Sequence, residues 1–364
     1  MMERSYLMVG RHRKCAGFTL VELLVVVSVI ALLISILLPS LRKAREQAKT
    51  VKCSANEHAV GVAISTYLAD SLGTYPPSYT YPVDADGSWG MEDGEQDANK
   101  EHGYLHWSWF LFSDGRVKDE MFQCPQMKNG GHPRTFPGSK QEDWNLADHQ
   151  VDDDGTSWTP GNADSLIKDK QCSRISYATN AAVIPRNKFY PGLETGSRLN
   201  VLVKENQIGR AGDTVLATEY LDNWKAIGVP SSSGILSKSH RPINVFYHEG
   251  TGFNEYVAQA QIPGFVYGEK LIPVTPKDYG LMTLTFVRDQ TNLLDHTGGR
   301  SQINAIGRHH PGGDKVYGGT ANFLFCDSHV ERMTPLQSVE DRKWGDRYWS
   351  ITGVNDVLNY IKLR

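Results

Sequence analysis

An excess of charge of either sign is missing from this sequence: among 364 residues, 38 Lys and Arg stand against 41 Asp and Glu, a net charge of -3. With a pI near 6.5 the chain has no basic footprint for nucleic acid, and no nucleic-acid partner is expected. Cysteine is scarce, at five residues, and no two form a C-x-x-C pair, so a zinc knuckle is unsupported. Nucleophile elbow, phosphate loop, H-E-x-x-H and dinucleotide fingerprint are all absent. The sequence therefore assigns no catalytic residue, cofactor or metal ligand, and predicts no enzyme. Long apolar runs are missing too, with one exception near the amino terminus. Gly, Pro, Tyr and Trp are plentiful and the mean hydropathy is negative, which describes a polar, turn-rich domain attached to one apolar segment.

That segment begins at Gly17-Phe18-Thr19-Leu20-Val21-Glu22 and runs without another charge to Leu38. As a helix, Phe18 to Leu38 would span roughly 30 Å, the thickness of a bilayer's hydrocarbon core. Glu22 is the anomaly, because a carboxylate costs a few kcal/mol there and so calls for a partner. Lys14 to Leu24, with Pro39 further on, resembles the amino-terminal signature of type IV prepilins and of the pseudopilins of type II secretion. The resemblance implies a basic leader, residues 1–17, removed by a prepilin peptidase that cuts after Gly17 and methylates the new amino group of Phe18. It also implies that Glu22 pairs with the Phe18 amine of a neighbouring subunit, a head-to-tail contact that builds filaments. The bland alternative is a signal anchor with an incidental Glu. A cleaved secretory signal fits less well, because the run is long and no A-x-A-like site follows it.

Basic residues flank both ends of the run, so charge alone does not orient it; an amino terminus on the cytoplasmic side follows from the resemblance. Beyond Leu41, Ala44, Ala48, Val51, Ala55, Ala59, Val62 and Ala63 recur at spacings of three and four, predicting an amphipathic continuation of the helix to about Asp70. Ser71-Leu72-Gly73 and Tyr75-Pro76-Pro77 then close off helical options. Asp84-Ala85-Asp86-Gly87-Ser88 with Glu95, and Asp152-Asp153-Asp154-Gly155, have some of the oxygen spacing of calcium loops, but Trp89 stands where such a loop needs glycine. Solvated loops are the favoured reading, and calcium is the one cofactor left open. The aromatic stretch His106 to Phe112 reads as core in preference to a sugar platform. Val215-Leu216-Ala217 and Leu281 to Val287 are the better strand candidates.

Met121-Phe122-Gln123-Cys124-Pro125, Ser176 to Asn180 and Asp213 to Glu219 resemble elements of a group of bacterial prepilin-like proteins with extended carboxy-terminal domains. The signature of that group, a His followed by Asp-Gly, is similar to His310 and Asp327-Ser328, given a seven-residue insertion at Asp314 to Thr320 and Ser328 in place of glycine. The segment reads as a hairpin, Ala321 to Phe325 returning as His329 to Arg332. His309, His310, Asp327 and His329 could gather there as metal ligands, although a structural role is favoured. Once Cys15 leaves with the leader, Cys53, Cys124, Cys172 and Cys326 allow two disulfides in three connectivities, or free thiols.

The expected fold is α+β and pilin-like: a long amino-terminal helix, transmembrane over 18–38 and amphipathic over 39–71, packed on an antiparallel sheet with large loop insertions in an extracytoplasmic domain, 72–364. The expected function is that of a prepilin-like structural subunit of a type IV pilus or pseudopilus. Its partners would be prepilin peptidase, other pilin or pseudopilin subunits and the inner membrane. A membrane-anchored binding module for glycan or metal is the alternative from another class, and a hydrolase with a dispersed site a third.

Overall fold

A computed structural model describes residues 18–80, 105–135, 142–145, 169–184, 202–231, 234–243, 245–248, 265–267, 280–294, 302–345, 347–348 and 358–359. Gly17, the acidic loops at 84–95 and 152–155, and most of the segment from Asn129 to Leu166 lie outside them. The chain divides into two units, Met1–Arg45 and Glu46–Arg364.

Helix α1, Leu20–Asp70, opens on a reciprocal cap. Thr19 Oγ1 accepts from Glu22 N at 3.3 Å while Thr19 N donates to Glu22 Oε2 at 2.9 Å, which satisfies two of the backbone donors a helix start leaves over. Leu, Val, Ile and Ala then dominate, and the few hydroxyls bond within the helix, Ser28 to Val25 O and Ser35 to Leu32 O. Pro39 lies inside α1 without ending it. The end comes where Leu72 and Gly73 turn left-handed and Gly73 N donates back to Leu68 O at 2.8 Å.

In the second unit the core is an antiparallel sheet built from β1 (Tyr177–Thr179), β2 (Val215–Glu219), β3 (His310–Asp314), β4 (Gly318–Phe325) and β5 (Val330–Met333). The order is β5-β4-β2-β1, with β3 pairing the start of β4. Every residue of β2, and every residue of β4 from Thr320 on, is buried, so both strands are covered on both faces, the polar Thr218, Glu219, Thr320 and Asn322 included. The stretch from Asp314 to Thr320, read as an insertion, is the turn and opening of the β3–β4 hairpin; Asp314 Oδ1 accepts from Val316 N and Tyr317 N, each at 2.6 Å.

Two sequence expectations change. The buried face of α1 is Thr50, Cys53, Asn56, Glu57, Val60, Gly61, Ala63, Ile64 and Leu68, whereas Val51 and Val62 are exposed. The face is rotated from the alanine stripe because polar side chains at its start find partners, Asn56 Nδ2 donating to Gln123 O at 2.8 Å. Leu281 to Val287 is not a strand: Thr283 caps α2, Leu284–Asp289, by accepting from Phe286 N, and only Val287 of that helix is buried. A third helix, α3, Pro335–Glu340, follows β5 with a capping box at Thr334 and Gln337.

Candidate functional site

From Phe18 through Leu38 the side chains of the first unit are exposed, Phe18 at 71 %. An apolar surface of this length is unfavourable in water and matches hydrocarbon, and α1 is long and apolar enough to cross a membrane. Glu22 stands at the start of this surface with Thr19 as its partner, its Oε2 also accepting from Thr19 Oγ1 at 2.7 Å. One carboxylate oxygen is thereby held at the tip of the helix.

The four polar residues of the carboxy-terminal motif do not gather. Asp327 and His329 pair with each other at 2.6 Å on the exposed β4–β5 turn, where His329 also stacks on Phe325. His309 and His310 face inward instead. The aromatic stretch divides as well: Trp107 is buried edge-on against Phe122 at 5.5 Å, as core packing requires. A separate cavity of about 300 Å³ is lined by His132, Trp144, Asn145, Asp222 and Trp224 among others; Trp144 is only 3 % exposed and Trp224 is half-buried.

Sequence reasoning missed a buried polar cluster between α1 and the sheet. Strand alternation puts Glu219 on the same face as Ala217, whose register partner Leu324 approaches α1 at Gly61. Glu219 Oε1 lies 2.7 Å from His310 Nε2, and its Oε2 accepts from Asn322 N at 2.9 Å and lies 3.7 Å from His309 Nε2. His310 Nδ1 faces Gln126 Oε1 at 2.8 Å and Thr50 Oγ1 at 3.1 Å, and Gln126 Nε2 donates to His309 O at 3.2 Å. Burial by itself would push the Glu219 carboxyl up, but His309 and then His310 outweigh it and bring it down to about 2. Glu57 is the opposite case. Fully buried, with neither oxygen in a hydrogen bond, it is raised well above the ordinary value of 4.5 by burial and by the charge of Glu219, the Leu324 backbone pulling the other way.

Against this cluster lies the Cys53–Cys124 disulfide, with Cys124 Sγ 3.7 Å from His309 Nε2 and 4.0 Å from His310 Nε2. Cys172 and Cys326 are free, their thiols pushed up by burial, which leaves them poor nucleophiles. One signal in the sequence did point here. Glu57 is a lone acidic residue three and four positions from Cys53, Val60 and Gly61, and so shares a helix face with them.

A family model described as the prokaryotic N-terminal methylation motif matches residues 12–38. The searches of curated proteins and of solved structures found no match. The apolar helix with this motif makes the chain a membrane-anchored protein of α+β fold. More narrowly, the match supports a prepilin-like protein, similar at its amino terminus to those that prepilin peptidase processes.

Proposed function

We propose that the chain is a structural subunit of a type IV pilus or type II secretion pseudopilus, cut after Gly17 and methylated on Phe18. It inserts with its amino terminus in the cytoplasm, and residues 72–364 form an extracytoplasmic domain. The Cys53–Cys124 disulfide supports that placement, since such bonds persist in oxidising compartments.

One observation carries the assembly reading: Glu22 is a carboxylate on an otherwise apolar, lipid-compatible surface, with only its own cap, Thr19, beside it among the described residues. In lipid that charge and a neighbouring subunit's Phe18 amine are each costly alone and offset one another when paired. Glu22→Ala should therefore enter the membrane fraction as the parent does and fail to form filaments by electron microscopy. Parental filament yield from this variant would overturn the reading.

A further inference from the structure

We propose that the Cys53–Cys124 pair has a second state, in which the reduced thiols join Glu219 and His310 to hold one zinc-like divalent cation. The four donor atoms already lie within 4.8 Å of one another, all from buried residues on four separate segments: α1, the Cys124 turn, β2 and β3. Tetrahedral zinc, with bonds of about 2.0–2.3 Å, needs donors roughly 3.3–3.8 Å apart. The 2.7 Å contact between the imidazole and the carboxylate thus opens a little, both groups draw toward the sulfurs, and the two sulfurs separate. Two thiolates, an imidazole and a carboxylate form a donor set that favours zinc over calcium or magnesium.

An outer shell is present as well. Gln126, held by its bond to His309 O, presents Oε1 to His310 Nδ1 and so turns Nε2 toward the sulfurs. The Asn322 backbone N–H anchors the second Glu219 oxygen. His309 Nε2, 3.7 Å from both Cys124 Sγ and Glu219 Oε2, stands by as a further donor.

The exchange balances. A dithiol reductant gives two electrons and two protons to the disulfide and leaves as its own disulfide; the cation then displaces both thiol protons to solvent. An oxidising protein disulfide reverses this, re-forming Cys53–Cys124 and releasing the ion. Because both sulfurs are fully buried, the reductant and the oxidant reach the pair only when the domain opens.

The test uses the full chain in detergent, unfolded with a dithiol and refolded with zinc chloride or cobalt(II) chloride. One zinc per chain by mass spectrometry, and a thiolate charge-transfer band with cobalt, are expected for the reduced protein and neither for the oxidised one. The Cys53→Ser/Cys124→Ser variant should lose the band, and Gln126→Ala should weaken binding by about 10- to 100-fold while leaving the oxidised fold unchanged. The proposal is overturned if the reduced chain refolds without stoichiometric zinc or if the oxidised chain binds equally. Cobalt bound without a sulfur band, or a reduced chain that cannot fold even with zinc, overturns it too.

Discussion

Gly61 of α1 and Ser328 of the β4–β5 turn face each other so closely that a Cβ on Gly61 would lie 3.2 Å from the Ser328 Cβ and 2.6 Å from Leu324 Cδ1. The turn is clamped there, with His58 Nδ1 2.8 Å from Ser328 O and Ser65 Oγ 2.9 Å from Ser328 Oγ. Ser328 holds φ +73° to reach this position, a region a serine enters at a cost. Gly61→Val should overpack the contact and lower stability by about 2–3 kcal/mol in thermal unfolding. Ser328→Ala loses the Ser65 bond and keeps the strained φ, whereas Ser328→Gly also loses the bond but relieves φ. The Gly variant should therefore be the more stable of the two by about 1 kcal/mol; equal stabilities would mean the turn carries no strain.

The two buried carboxyls should give opposite pH signatures. Glu57 is raised, so its contribution is full below the unfolded value of 4.5 and is lost as pH rises toward its folded value. Glu57→Gln should stabilise the protein at neutral pH, by a margin growing up to about 1.4 kcal/mol per pH unit above 4.5 and vanishing near pH 4. Glu219, held down to about 2, stabilises above 4.5 and loses that contribution between 4.5 and 2. Glu219→Gln should cost about 3 kcal/mol at pH 7 by leaving His310 without its carboxylate, and the cost should shrink in acid. Denaturant melts from pH 3 to pH 8 check both, and parallel curves for parent and Glu57→Gln would count against a protonated Glu57.

Cys53 and Cys124 are 71 residues apart, so the bond closes a long loop and ties α1 to the turn before the sheet. In the chain-entropy account such a loop is worth about 4 kcal/mol. With a chelator present to exclude metal, the Cys53→Ala/Cys124→Ala variant should melt below the oxidised parent, by roughly 6 °C for a unit of this size. A melting point unchanged by the substitution would show that packing of α1 suffices without the cross-link.

Gly17→Glu should leave the leader attached, because a peptidase at the membrane face needs a residue that lets the backbone approach closely. Intact mass of the membrane-extracted protein decides it. The parent should begin at a methylated Phe18 and the variant upstream; a parent beginning at Met1 or after Leu38 would remove the basis for the filament reading.

The amino terminus was legible from sequence because its information is local and compositional. A helix of that length and apolarity, a lone acid near its start and a proline just past the run need no tertiary context to be read. Strands β2 and β4 were legible for a similar reason, since apolar runs bounded by turns have few other uses, and β5 was legible as the return of the hairpin after the polar turn at Asp327-Ser328. The buried cluster was not legible. Cys53, Glu57, Cys124, Glu219 and His310 are scattered over more than 250 positions, and each alone reads as an ordinary helix, turn or strand residue. Which face of α1 turned inward was also beyond local pattern, because contacts of Thr50 with His310, of Asn56 with Gln123 and of Gly61 with Leu324 come from distant parts of the chain. Likewise His309 and His310 parted from Asp327 and His329 when the β3–β4 hairpin carried the first pair beneath α1 and left the second on an exposed turn. Long-range pairing decides burial, and burial decides what a histidine or a carboxylate can do.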